Sequence, residues 1–93
     1  MNEVPCQHHY MTVIGIPKGK RKEVCKNISL GYDVEEKVAV EKAREIIAED
    51  YRSTRSCIVR CVTGVTSVND GVRLFKANLF GATKSVAQLV GGA

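Results

Sequence analysis

The sequence predicts an α+β domain, in which a small antiparallel sheet of three to four strands carries one amphipathic helix on one face and a short C-terminal helix. Three observations predict this fold. Two runs rich in β-branched residues flank an early turn, a segment with an apolar stripe at helical spacing follows, and further apolar runs are separated by turn residues. Because 93 residues are too few for two cores, residues 1–93 are predicted to form a single domain.

The first two strands are predicted to form a hairpin. Residues 1–8 show no clear period and are expected to be a flexible arm. The run YMTVIGI, which begins at Tyr10, alternates so that its even-numbered residues share one face of a strand. Pro17 and Gly19 favour a turn, and a second strand is expected over residues 24–30. The tip of this hairpin is basic.

The helix is predicted over residues 33–51. Asp33 is a suitable N-cap, and Glu36 three residues later completes a capping box. Six residues fall within one arc of a helical wheel, as expected of a stripe that faces a core: Ala39, Val40, Ala43, Ile46, Ile47 and Tyr51. Charged residues occupy the remaining surface.

The second half of the chain is predicted to extend the sheet. Residues 51–56 read as a polar link, and residues 57–65 are apolar on both faces, which is typical of a central strand. Residues 69–71, Asn-Asp-Gly, are a hairpin signal. Residues 72–80 fit a fourth strand or a helix, since short apolar segments are ambiguous by period alone. Residues 82–90 have helical spacing and predict the short C-terminal helix.

Charge is concentrated near the hairpin tip. The chain has 14 Lys and Arg against 10 Asp and Glu, a net charge of +4, and most of the acids fall within residues 33–50. Five cations lie close together in sequence: Lys18, Lys20, Arg21, Lys22 and Lys26. Such clustering creates a local positive field.

Residues 10–52 resemble small DNA-binding domains that place a β-sheet in the major groove with a helix packed behind it. These are the Apetala-type domains and the arm-binding domains of tyrosine integrases. The resemblance is carried by Gly19-Lys20-Arg21-Lys22, the strand end Ser29-Leu30-Gly31, the acidic helix start at 33–36 and the alanine-bearing helix. Those domains have three strands before the helix and a Trp on the face that contacts DNA bases. This sequence predicts two strands before the helix and contains no Trp.

The resemblance implies a site on the hairpin. It implies phosphate contacts from Lys18, Lys20, Arg21 and Lys22. It also implies that Lys26 and Asn27 reach base edges of DNA or RNA. The alternative is that the basic turn is only a solvated turn whose lysines protect a sheet edge from aggregation.

A protein-interaction or assembly module is the second functional hypothesis. Phe75, Leu79 and Phe80, with the apolar C-terminal segment, exceed what one helix and a small sheet need for a core. They could bind a second copy in a homodimer, or a larger partner that the protein inhibits. Either role would suit a viral or mobile-element accessory protein.

No catalytic, metal or cofactor site is predicted. Cys6, His8, His9 and Cys25 fit no strong zinc-binding template and could hold zinc only if the N-terminal arm folded against the second strand. No Ser/His/Asp order, phosphate-loop or dinucleotide motif is found. The four cysteines, which include Cys57 and Cys61 on one face of a strand, allow free thiols or disulfides. The chain has no apolar run that could span a membrane, and a non-enzymatic intracellular or cytoplasmic protein is expected.

Overall fold

The chain forms two strands, a helix and three further strands in a computed structural model that describes residues 3–77 and 83–89. The elements are β1 (Val4–Pro17), β2 (Val24–Tyr32), α1 (Glu36–Asp50), β3 (Tyr51–Asn69), β4 (Val72–Ala77) and β5 (Lys84–Leu89). The α+β class is confirmed. Within these ranges, no helix combines the length and the apolar character needed to cross a membrane.

The strands form one antiparallel sheet in the order β2-β1-β3-β4, and β5 pairs with residues 57–61 of β3, which precede the part of β3 that pairs with β4. The prediction of three to four strands is therefore too low by at least one. β1 and β3 are central, since β1 pairs with both β2 and β3 along most of its length. The β3–β4 turn confirms the hairpin signal: Asp70 and Gly71 both have positive φ, as a type I′ turn requires.

The predicted C-terminal helix is wrong for the residues described, because 84–89 form β5. A β-bulge explains the misleading spacing. Val59 pairs with Ala87 and Arg60 pairs with Ser85, so Val86 is an extra residue that breaks the strand alternation. Val86, Ala87 and Leu89 all pack against the core, and this set mimics the spacing of a helical face. Residues 82 and 90 of the predicted helix lie outside the described ranges.

Residues 4–8 are not a flexible arm but the start of β1. They pair with β3 from Val4 opposite Thr66 onward, and Cys6 is only 4% exposed. The lack of a clear period in their sequence hid this strand, which forms because β3 is long enough to pair with it. Residues 51–56, predicted as a polar link, likewise belong to β3 and pair with the end of β1.

The strand alternative is confirmed for residues 72–77, which form β4. Residues 78–80 of that predicted segment lie outside the described ranges. The central strand predicted over 57–65 is also confirmed, as part of the longer β3.

The predicted helix is confirmed, but its start is different. α1 begins at Glu36, and its N-cap Glu35 makes no capping hydrogen bond through its side chain. Asp33, the predicted cap, has φ +53° and instead ties the end of β2 to β1. Its Oδ1 accepts a hydrogen bond from the backbone N–H of Gln7 at 3.0 Å, and its own N–H donates to the Gln7 carbonyl at 2.8 Å. The capping box is therefore absent.

The core lies between α1 and one face of the sheet. Its buried members are Met11, Val13, Leu30, Ala39, Ala43, Tyr51, Cys57 and Val59. Ala39 and Ala43 are small, so α1 can approach the strands closely. We call the other side the helix-free face. It is formed by His8, Tyr10, Thr12 and Ile14 of β1 and by the residues paired with them on β2 and β3.

The sheet curls toward the helix-free face. Tyr32 at the end of β2 and Phe75 in β4 have ring centroids 5.6 Å apart, although two strands lie between them in the sheet. Flat strands would place β2 and β4 about 14 Å apart. Cys6, Val62 and Thr66 are buried inside this curl, which forms a second small core.

Candidate nucleic-acid interface

The basic turn, defined as residues 18–23, connects β1 to β2 and is fixed by its backbone. The Lys18 N–H donates to the Asp50 carbonyl at 2.8 Å, and the Lys20 N–H donates to the Pro17 carbonyl at 3.1 Å. Gly19 has φ +79°, a conformation that glycine adopts without strain. The predicted phosphate-contacting residues Lys18, Lys20, Arg21 and Lys22 are all exposed. They are therefore accessible to a polyanion.

Two arginines at the start of β3 lie near the basic turn, since Tyr51 pairs with Pro17. One of them, Arg55, makes two hydrogen bonds to Glu23, from Nη2 at 2.9 Å and from Nε at 3.2 Å. This ion pair partly neutralises Arg55. Arg52 adds a further cation at this end of the sheet. Arg60 lies farther along, where it pairs with Tyr10.

Lys26 and Asn27 lie on opposite faces of β2. Lys26 pairs with Val13, whose side chain is in the core under α1, whereas Asn27 pairs with Thr12 on the helix-free face. The Thr12 hydroxyl donates to Asn27 Oδ1 at 2.7 Å. Lys26 and Asn27 therefore cannot contact base edges from the same surface. Of the two, only Asn27 lies on the helix-free face.

Charge divides between the sheet and the helix. The five described strands contain seven Lys or Arg residues and no Asp or Glu. The seven are Lys26, Arg52, Arg55, Arg60, Arg73, Lys76 and Lys84. The basic turn adds four cations and one acid, whereas α1 carries five acids and three cations. The sheet and the basic turn are the positive part of the molecule.

An aromatic cluster occupies the helix-free face, and it was not predicted from the sequence as a site. The His8 ring stacks on Tyr32, with centroids 4.5 Å apart and planes at 19°. It also stacks on Tyr10 at 5.8 Å and 30°. Phe75 tilts against His8 at 5.3 Å, and the Arg73 guanidinium lies 4.5 Å from the Tyr32 centroid. The sequence signal for this cluster was the spacing of His8 and Tyr10, because residues two apart in a strand lie on the same face.

His8 is uncharged at neutral pH in this cluster. Burial lowers the pKa of His8 below its ordinary value, and the adjacent His9 lowers it further. Its Nε2 lies 2.8 Å from the Ser29 hydroxyl. A neutral imidazole stacks on tyrosine without carrying a buried charge.

The predicted protein-interface residues are only partly described. Phe75 is half-buried in the aromatic cluster, while Leu79 and Phe80 lie outside the described ranges. Exposed apolar side chains occur instead around the β3–β4 turn. Val68, Val72 and Leu74 are 62%, 56% and 52% exposed.

The four cysteines are free thiols. Cys57 and Cys61 both pair with residues that face α1, so they share a face as predicted. Burial raises the pKa of Cys57, whose sulfur lies 3.7 Å from that of Met11. Strand alternation sends His8 and His9 to opposite faces. In the described part of the chain, no group of three His, Cys, Asp or Glu residues is placed to hold a metal ion.

A pocket of about 520 Å³ lies on the helix side, between the start of α1 and the middle of the sheet. Asp33, Glu35 and Glu36 line it together with Lys84, so it is predominantly acidic and unsuited to phosphate.

His9 and Cys61 pair across the strands and line the same pocket. Among the described residues, the buried His9 Nδ1 has no hydrogen-bond partner. Burial raises the pKa of the Cys61 thiol. The charge of Lys84 lowers this pKa, and the charge of Glu36 raises it. The thiol is therefore protonated at neutral pH and a weak nucleophile.

Comparison with protein-family models, curated proteins and solved structures finds no match to this chain.

Proposed function

We propose that this protein is a small, non-enzymatic nucleic-acid-binding protein that contacts phosphates through the basic turn. The uneven distribution of charge is the observation that supports this function most directly. All described strands are free of acids and carry seven cations, while acids predominate on α1. A polyanion is therefore attracted to the turn and the sheet and repelled from the helix side.

The basic turn is suited to phosphate contacts. Its side chains are exposed, and its backbone is fixed to Asp50 and Pro17, so binding does not require the loop to become ordered. Each lysine or arginine that contacts a phosphate releases condensed counterions, which makes affinity depend on salt. Such contacts fix position without reading sequence.

A charge-matched pair of triple variants tests this function. Lys20→Ala/Arg21→Ala/Lys22→Ala removes three cations from the turn, and Lys37→Ala/Lys42→Ala/Arg44→Ala removes three from α1. Fluorescence anisotropy with labelled DNA and RNA, over about 50 to 200 mM salt, measures affinity and salt slope. We expect the turn variant to lose affinity and its log–log salt slope to fall by about 2 to 3. The helix variant should change little.

Two results would contradict this function. One is the absence of any binding to DNA or RNA at low salt. The other is an equal loss of affinity in both triple variants, because this would mean that only the net charge of the molecule matters.

We further propose that residues 10–52 are related to Apetala-type or integrase arm-binding domains. In those domains three strands precede the helix, whereas β1 and β2 alone precede α1 here.

Assembly is the second candidate, favoured by the exposed apolar side chains at the β3–β4 turn. Val72 and Leu74 share one face of the edge strand β4, whereas Val68 pairs with Arg73 and lies on the other face of the hairpin. A second copy could bury them. Sedimentation of wild-type protein and of Leu74→Glu tests this: a dimer that the substitution dissociates would support assembly, and a monomer in both would exclude self-association.

A further inference from the structure

The aromatic cluster on the helix-free face has one closed end and one open end. Tyr32 and Tyr10 each stack on His8, with centroid spacings of 4.5 and 5.8 Å, and we call this set of three rings the column. Arg73 and Phe75 contact Tyr32 at one end. At the other end, the Tyr10 ring contacts no aromatic ring other than His8 among the described residues, and it is half-exposed. One more planar group could therefore extend the column at Tyr10.

Hydrogen-bond donors surround this open end. Arg60 pairs directly with Tyr10 across β1 and β3, is half-exposed, and lies on the same face. The Thr12 hydroxyl, two residues along β1, donates to the side-chain amide oxygen Oδ1 of Asn27. The amide NH2 of Asn27 then remains as a donor toward solvent. A ring, a guanidinium and an amide are thus grouped on strands that contain no acid, and Asp33, which lies 3.8 Å from Arg73, is at the other end of the cluster.

We propose that unpaired bases of a single-stranded nucleic acid stack on Tyr10, with Arg60 and Asn27 as their polar contacts. This inference rests on the proposed function and names its substrate class. Bases in a duplex already stack on both sides, so a surface ring cannot reach their faces, whereas single strands expose them. Arginine pairs with a phosphate or lies flat on a base, and an amide hydrogen-bonds to a base edge.

The nucleic-acid strand that stacks on Tyr10 can also reach the basic turn. Tyr10 and Pro17 are seven residues apart in β1, a span of about 23 Å at about 3.3 Å per residue. A single strand of about 10 nucleotides covers this distance and falls within the range of about 4 to 16 nucleotides that one small β-domain binds. Its bases would lie on the helix-free face and its phosphates would continue to Lys18–Lys22.

Substitutions at Tyr10 test the stacking. Tyr10→Phe keeps the ring, and Tyr10→Leu removes it while keeping an apolar side chain. Anisotropy with oligo(dT) and oligo(U) of about 10 nucleotides, and with a duplex of equal length, measures binding. We expect Tyr10→Leu to weaken single-strand binding roughly 10-fold with an unchanged salt slope, and Tyr10→Phe to stay within about 2-fold. Oligo(dT) and oligo(U) distinguish DNA from RNA.

Arg60→Gln, matched by Arg44→Gln on α1, tests the polar contact. The first should weaken single-strand binding several-fold, and the second should leave it unchanged. Equal effects would mean that Arg60 contributes only to net charge.

A fluorescence readout covers the case in which Tyr10→Leu does not fold. The chain contains no Trp, so Tyr10→Trp provides a single reporter. Its fluorescence should be quenched by the single strand and little changed by the duplex, because quenching requires contact with base faces.

Failure of this inference is distinct from failure of the proposed function. Absence of all nucleic-acid binding contradicts the function. A different set of results would contradict the stacking on Tyr10 and leave the proposed function standing. In that set, binding depends on salt and is lost in the triple turn variant, but Tyr10→Leu does not weaken it and the fluorescence of Tyr10→Trp is not quenched. Equal affinity for single strand and duplex would also overturn it.

Discussion

The two faces of the sheet differ in both burial and charge. Under α1, Met11, Val13 and Val59 are fully buried. On the helix-free face, Tyr10 and Ile14 remain half-exposed although they belong to the same strand. Acids concentrate on α1 and the described strands contain none, although Lys26 and Lys84 of those strands lie on the helix side. One face thus serves stability, and the other carries the rings and arginines on which the proposed nucleic-acid site rests.

The largest expected difference between the faces is in core packing. Met11→Ala removes a fully buried side chain under α1, so the free energy of unfolding should fall by about 2 to 5 kcal/mol. Ile14→Ala, at a half-exposed position of the same strand, should cost about 1 kcal/mol or less. Urea unfolding of both variants measures this. Equal losses would mean that the helix-free face is buried by something as well.

A smaller effect is expected at Gly64, where the sheet curls. A Cβ on Gly64 would clash with the Lys76 carbonyl oxygen and would lie 2.6 Å from Cζ of Phe75. Gly64→Ala should therefore destabilise the domain by about 1 to 3 kcal/mol. Because the added Cβ would also clash with the backbone of β4, a second substitution, Phe75→Leu, should restore only part of the lost stability. Thermal unfolding of the single and double variants checks it, and unchanged stability in Gly64→Ala would contradict the curl.

The smallest expected effect is a pH dependence that arises from His8. Its pKa is lower in the folded protein than the value of about 6.5 in the unfolded chain, so the unfolded chain binds the proton more readily. The stability contribution is complete above about pH 6.5 and is lost as the pH falls through the folded pKa. Urea unfolding between about pH 7.5 and 5 should show a shallower decline in His8→Gln than in wild type. Parallel declines would contradict this role for His8.

The regular elements were predictable where local signals are strong. The apolar stripe predicted α1, and the β-branched run from Tyr10 predicted most of β1. The Asn-Asp-Gly turn signalled the β3–β4 hairpin. The residues that give each of these signals are close neighbours in the sequence.

The errors occurred where long-range pairing overrides local pattern. Residues 4–8, which show no clear period, become a strand only because β3 lies beside them, and the bulge at Val86 makes β5 resemble a helix in sequence. Asp33 is drawn away from the helix N-terminus by its hydrogen bonds to Gln7.

The site was predictable only in part, for a similar reason. The basic turn is contiguous in sequence. The aromatic cluster draws its rings from three strands, so no spacing within the chain brings Tyr32 and Phe75 to His8. Lys26 and Asn27 looked like one site, but strand alternation places them on opposite faces.

An NMR titration of the 15N-labelled protein with oligo(dT) of about 10 nucleotides tests the central claim most directly. We expect amide shift changes to concentrate in the basic turn and around Tyr10, Asn27 and Arg60, and residues 36–50 of α1 to remain unperturbed. Shift changes centred on α1, or no shift changes at low salt, would contradict the assignment of the helix-free face as the nucleic-acid interface.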